Sequence, residues 1–137
     1  MSELFTERWA RAWRDAINRS EAFRCEGSGW DGVLVVSMPG GSSDGVALEL
    51  EGGSCRAARR AREADRENAD IVIEASPDTW RSLFAGRSEL WLSILLGRFH
   101  VTRGNLGALR AHLPAARALL AAAGSIAEPP GRERDRD

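Results

Sequence analysis

A mixed α/β (α+β) fold is what the 137 residues predict, and three observations predict it. An apolar period near four at the N-terminus gives way to a period of two after Phe23. Glycine-rich turns separate short β-branched runs through the middle of the chain. After Ser76 the helix-start signals and the helical apolar spacing return.

Phe5, Trp9, Trp13 and Ile17 recur every four residues, with charged residues between them. That spacing lays one apolar stripe along an amphipathic helix from about residue 3 to 19. Core packing is the plain reading of the stripe; docking of a partner, or of a second copy in a homodimer, through Trp9 and Trp13 is the alternative. Val33-Leu34-Val35-Val36 follows as a strand. Val46, Leu48 and Leu50 then alternate with Ala47, Glu49 and Glu51 as a half-buried strand with one wet face. Residues 39–45, PGGSSDG, read as a hairpin loop and Gly52-Gly53 as a second tight turn, so these strands form an antiparallel meander. For Ser54 to Asn68 the Ala, Arg and Glu content favours helix by propensity, but a Gly-Gly turn directly after a strand invites a return strand. The expectation is a strand over 54–61 and a loop after it. Ile71-Val72-Ile73 reads as a short buried strand.

Ser76-Pro77-Asp78 combines an N-cap serine, a proline at the first helical position and an acidic residue at the positive helix end. Trp80, Leu83 and Phe84 form the inward face of that helix, and Gly86 ends it in a left-handed conformation. Ser88 is expected to cap the next helix, which stops before Gly97. Its residues are apolar nearly all round, so it should be buried or line a cavity. Phe99 and Val101 alternate with His100 and Thr102 in a short strand. Gly104-Asn105 turns the chain, Leu106 to His112 forms a short helix, and Pro114 starts a final helix with Leu119 and Leu120 on its apolar side. One domain is expected over residues 1–124. The segment 125–137, ending PPGRERDRD, is expected to be disordered, because it cannot bury enough apolar surface to offset its ordering entropy.

Composition narrows the function classes. Apolar residues make up 43% and charged residues 28%, the ordinary range for a soluble globular chain. A net charge of −1 lacks the basic excess of a nucleic-acid binder and argues against strong attraction to anionic membrane surfaces. All 19 basic residues are arginine, which fits the codon bias of a GC-rich, bacterial genome. The longest apolar run, Leu90 to Leu96, falls well short of the roughly 20 residues that span a bilayer, so no stable membrane insertion is expected. The mixed charges of the first residues do not suit a secretory signal. A cytoplasmic location is therefore expected, with Cys25 and Cys55 as free thiols.

Catalytic and metal motifs are absent from the sequence. His100 and His112 fall on different elements and lack ligand spacing. There is no Gly-x-Ser-x-Gly elbow, and without lysine there is no Walker A lysine, so no cofactor is expected. Cys25 would need a neighbouring base to act as a nucleophile. The arginine group Arg56, Arg59, Arg60, Arg62 and Arg66 has the chemistry to hold a phosphate head group. Glu63, Asp65 and Glu67 are interleaved with it, which favours an internally neutralised surface.

The stretch from Ala69-Asp70-Ile71-Val72-Ile73 through Ser76-Pro77-Asp78-Thr79-Trp80, with Leu83, Gly86, Gly97-Arg98-Phe99-His100-Val101 and Gly104, resembles the sterol carrier protein 2 family. In that family an Ala-Asp pair leads a strand, and a polar turn enters a helix with a buried aromatic. A Gly-basic-apolar strand and another glycine then precede the C-terminal helices. These motifs cover residues 69–113, and a weaker resemblance extends over about 5–123. Asn105, Arg98 and the bulky Leu90-Trp91-Leu92 depart from the usual pattern. The resemblance implies a five-stranded, mainly antiparallel sheet covered by helices, with a hydrophobic tunnel between them for sterols, fatty acids, acyl-CoA or other lipids. Leu90, Trp91, Ile94, Leu95, Phe99, Val101, Leu109, Leu113 and Leu120 are the candidate wall of that tunnel. The same residues could fill a solid core, and composition does not separate the two. Three functional readings follow. They are non-enzymatic carriage of an apolar ligand, an enzyme or accessory protein of polyketide- or terpenoid-type metabolism using His100 or Cys25, and an interaction module with a filled core.

Overall fold

A computed structural model describes residues 6–38, 45–104 and 106–126. The chain begins with two helices, α1 (Glu7–Arg19) and α2 (Glu21–Glu26), and continues into the strands β1 (Gly32–Ser37), β2 (Gly45–Glu51) and β3 (Ser54–Arg60). A short helix α3 (Glu63–Asn68), strand β4 (Ile71–Ala75), helices α4 (Pro77–Phe84) and α5 (Leu90–Leu95), strand β5 (Phe99–Arg103) and helices α6 (Leu106–Ala111) and α7 (Leu113–Gly124) follow. The strands form one sheet in the order β3-β2-β1-β4-β5. β1 and β4 run parallel; the other neighbouring pairs are antiparallel. The five-stranded, mainly antiparallel sheet that the family resemblance implies is thus present.

Strand register decides what each face carries. Leu34 pairs with Leu48 and Ile71, and Val36 with Val46 and Ile73, so these residues share one face. That face is the floor of the main core, roofed by Trp9, Trp13 and Ile17 of α1, Phe23 of α2, Trp80 and Leu83 of α4, and Leu119 of α7. The opposite face carries Val35, Ala47 and Val72 beside Ala61 and Ala69, a second apolar cluster beneath α3. Burial on both faces explains why residues 33–36 read as a continuous apolar run and not as an alternation. It also corrects the single wet face expected for β2, since Ala47 is fully buried.

Two helices depart from the sequence expectation. α2 arises because Ser20 both ends α1 and caps the next helix, its hydroxyl accepting the Phe23 N–H at 3.1 Å; a six-residue helix held by one buried phenylalanine leaves little periodicity to read. α3 replaces the loop expected after residue 61. Its first turn is held by Asp65, whose carboxylate accepts the Arg62 N–H at 2.9 Å and the Arg59 guanidinium at 2.7 Å. The cap of α5 is Glu89 and not Ser88: its longer side chain reaches both the Trp91 and Leu92 N–H groups. Phe5, the loop over 39–44, Asn105 and the tail from residue 127 lie outside the described residues.

Two buried indoles tie the layers together. Trp13 Nε1 donates to the Leu119 carbonyl at 2.9 Å, joining α1 to α7, and Trp80 Nε1 donates to the Ser37 carbonyl at 2.9 Å, joining α4 to the end of β1. Phe84 packs against Trp9, Trp13 and Trp80 with ring centroids 5.4–5.9 Å apart, and Trp80 meets Phe99 edge-on at 4.9 Å. At the outer edge of β3, Asn18 of α1 receives the Cys55 N–H at 2.8 Å and donates to its carbonyl at 3.0 Å. The register shift between Glu49 and Leu50 falls beside this contact, so a side chain satisfies backbone groups of an edge strand.

α4 ends as its sequence signals indicate. Ser76 caps it, and Gly86 adopts φ 78° while Arg87 N–H bonds back to the Ser82 carbonyl and Gly86 N–H to that of Leu83. Gly104 also has positive φ, 85°, but a Cβ there would collide with the Asp70 carbonyl oxygen, whereas at Gly86 it would meet open space. Gly86→Ala is therefore expected to cost about 1 kcal/mol, and Gly104→Ala clearly more, about 2–4 kcal/mol. Urea unfolding of the two variants checks the order; equal losses would refute the steric account.

Candidate functional site

An open groove of about 510 Å³ lies where α4, α5 and α7 meet. Leu83, Phe84, Leu90 and Leu120 supply its apolar floor, and Ser88, Glu89, Arg117 and Ser125 its polar rim. The left-handed turn at Gly86 brings α4 around to α5, and Gly124 lets the end of α7 press on the Phe84 carbonyl, where a Cβ would not fit. On α7 the groove residues are Arg117, Leu120, Ala121 and Gly124. They recur at the spacing of one helical face, and Arg117 is the only polar side chain of that stripe.

The rim carries an ion pair. Glu89 Oε2 receives Arg117 Nη2 at 2.7 Å and Nε at 3.0 Å, and the same carboxylate caps α5 by accepting Leu92 N–H at 3.0 Å and Trp91 N–H at 3.2 Å. The Leu92 N–H first, then Arg117 and the Trp91 N–H, hold this exposed carboxyl below the usual glutamate range. An apolar floor with a charged, water-facing rim suits a ligand with an apolar body and a polar end.

Of the nine candidate wall residues, Leu90 and Leu120 lie on the groove. Phe99 and Leu109 are buried in the core, and Ile94, Val101 and Leu113 are partly buried against it. Trp91 is half-buried beneath the Arg110 guanidinium, 5.9 Å from its ring centroid. Leu95 points outward at 66% exposure, with Leu92 and Leu96 beside it. The apolar sequence of α5 predicts a helix that is buried or lines a cavity, and the structure bears this out on one side alone. It sits in the outer layer, and Leu90 and Ser93 are the residues it buries.

Solved structures place this architecture. A structure of sterol carrier protein 2 superposes with a TM-score of 0.80 at 34% identity, covering 91% of this chain and 100% of the other. The chain belongs to the sterol carrier protein 2 family. A Thermus thermophilus protein described as a candidate sterol carrier protein matches with a TM-score of 0.78 at 34% identity, over 93% of this chain and 92% of its own. The apo form of Yarrowia lipolytica sterol carrier protein 2 shares the fold at 17% identity, with a TM-score of 0.61 over 91% of this chain and 97% of its own. No protein-family model matches the sequence, and no curated protein does.

Within this sterol carrier protein 2 fold the other sequence candidates fall away from the groove. His100 is exposed on β5, and Cys25 is exposed on α2. His112 stacks on Trp30 with centroids 4.9 Å apart. Burial pushes the Cys55 thiol up to about 11, so it stays neutral and unreactive near pH 7. Trp9 and Trp13 are buried among Phe84, α7 and the sheet, so their stripe packs the core as its plain reading has it and the docking alternative loses its anchors. Among the described residues no group of His, Cys, Asp and Glu is arranged to hold a metal ion.

The arginine group on β3 and α3 is largely neutralised from within. Arg59 bridges Asp65 at 2.7 Å and Glu49 at 2.8 Å, Arg56 pairs with Glu51, and Arg62 with Asp65. Arg59 above all, helped by the Arg62 N–H, lowers the Asp65 carboxyl from 3.8 to about 2. Because the folded value is the lower one, this stabilisation is present above pH 3.8 and disappears as pH falls through 2. Asp65→Asn, which can still accept the Arg62 N–H, is expected to cost about 2 kcal/mol at pH 7. Denaturant titrations should show the gap between wild type and variant closing as pH drops from 4 towards 2, and a gap independent of pH would contradict the assignment.

Proposed function

We propose that this chain carries an apolar ligand of the lipid class, a sterol, a fatty acid, an acyl-CoA or a related molecule, without chemical conversion. The observation that carries the reading is the apolar-floored groove between α4, α5 and α7, in a chain that belongs to the sterol carrier protein 2 family. Its volume of about 510 Å³ falls within the range of about 300–1,000 Å³ typical of small-molecule sites. Affinity would come mainly from removing apolar ligand surface from water, about 25 cal/mol per Å² before ordering costs.

In this reading the groove is the mouth of a hydrophobic tunnel. Phe84, half-buried in the groove floor, packs against the rings of Trp9, Trp13 and Trp80 behind it, so its rotation would lengthen the cavity towards the sheet. The remaining wall candidates on β5, α6 and α7 would then line its inner part. Cytoplasmic residence belongs to the same reading; no described helix is long and apolar enough to cross a membrane.

Native mass spectrometry of gently purified protein is the direct test, with identification of whatever is released on denaturation. A stoichiometric apolar adduct is expected. Ala121→Trp, which fills the groove from an exposed position, should weaken binding of a long-chain fluorescent fatty acid at least about tenfold, which is about 1.4 kcal/mol, with an unchanged melting temperature. Unchanged affinity would move the ligand elsewhere in the protein. A clean mass together with no probe binding would reject the carrier reading.

A further inference from the structure

The net charge of −1 conceals a separation along the chain. From Thr79 to Ile126 there are the arginines Arg81, Arg87, Arg98, Arg103, Arg110 and Arg117 against a single acidic residue, Glu89. Arg117 neutralises that one carboxylate. Arg87, Arg98 and Arg110 are exposed, and among the described residues none has an acidic partner.

These three arginines flank α5. Arg87 precedes it, Arg98 follows it with its N–H on the Ser93 carbonyl at 2.9 Å, and Arg110 reaches over Trp91 from α6. Leu92, Leu95 and Leu96 fall on one helical face at i, i+3 and i+4 and are 53%, 66% and 59% exposed. Three large exposed apolar side chains in one patch are unusual for a surface with nothing to bind.

We propose that this face of α5 docks reversibly on an anionic lipid bilayer, the leucines entering the headgroup boundary and Arg87, Arg98 and Arg110 pairing with lipid phosphates. The combination of an apolar face and unpaired flanking cations is what interfacial binding requires. The charge also selects this occupant over a second copy of the chain. Two such faces brought together would bury the leucines but would oppose arginine to arginine, with no free carboxylate among the described residues of that face to accept them. Docking here requires no span and no fixed ligand, so it stands independently of the carrier reading.

The test is co-sedimentation of the full chain with vesicles of phosphatidylcholine, alone or with about one-third phosphatidylglycerol. Binding to the mixed vesicles should be at least about tenfold tighter than to neutral ones and should fall away in about 0.5 M salt. Leu95→Ser with Leu96→Ser, and separately Arg87→Gln with Arg98→Gln, should each weaken it at least about tenfold. Arg19→Gln with Arg56→Gln, on α1 and β3, should change it less than about twofold. All the substituted residues are exposed, and circular-dichroism melts verify folding of each variant. No binding, equal binding to both vesicle types, or binding untouched by the leucine and arginine pairs would overturn the proposal. So would a concentration-dependent dimer in light scattering that dissociates with Leu95→Ser and Leu96→Ser, since it would assign the face to a second copy.

Discussion

The indole N–H groups of Trp13 and Trp80, the most deeply buried tryptophans, are the constraint around which the rest of this molecule is arranged. An indole that loses water without finding an acceptor carries a cost of about 1–3 kcal/mol, so Trp13 and Trp80 fit the core only where carbonyls meet them. Leu119 and Ser37 supply those carbonyls, one on the last described helix and one at the end of the first strand. Satisfying them sets α1 against α7 and α4 against the sheet. Phe84 is then caught between the rings, and the space beyond it becomes the groove. The packing of four aromatic residues therefore positions a site that none of the three tryptophans lines.

A second set of contacts supports the opposite face. α3 is too short to be stable by itself, and Arg59 holds it by reaching from β3 to Asp65 while also pairing with Glu49 of β2. The arginines that looked suited to phosphate are in this way committed to structure. The arginines around α5 are not, and the difference is the supply of carboxylates. The first half of the chain interleaves acids with its arginines, whereas the C-terminal helices hold one acid, and Arg117 already occupies it.

The groove and the exposed face of α5 share one helix. Leu90 turns inward to the groove floor while Leu92, Leu95 and Leu96 turn to solvent, so a six-residue element serves two surfaces. The sequence reads α5 as apolar all round because it is so, with one side set on the core and the other carrying the exposed leucines. Glu89 links the two by capping the helix and anchoring Arg117 across the rim.

What the sequence determined by itself is whatever depends on residues within a turn or two of one another. The α1 stripe, the alternation in β2, the Ser76-Pro77 start of α4, the left-handed glycine at 86, the turn at Gly104, and the order of motifs that marks the family are all of this kind. Tertiary structure decided the rest. Helix α3 exists because Arg59 and an otherwise bare sheet face accept it, against a sequence that also permits a loop. Ala47 is buried on that face in one cluster with Val35, Ala61, Ala69 and Val72. Which of nine apolar candidates reach the groove depended on how α4, α5 and α7 pack, and that packing runs through contacts such as Trp13 to Leu119, 106 residues apart. Local propensity carries no information across such a separation, whereas steric fit and hydrogen-bond satisfaction in the folded core do.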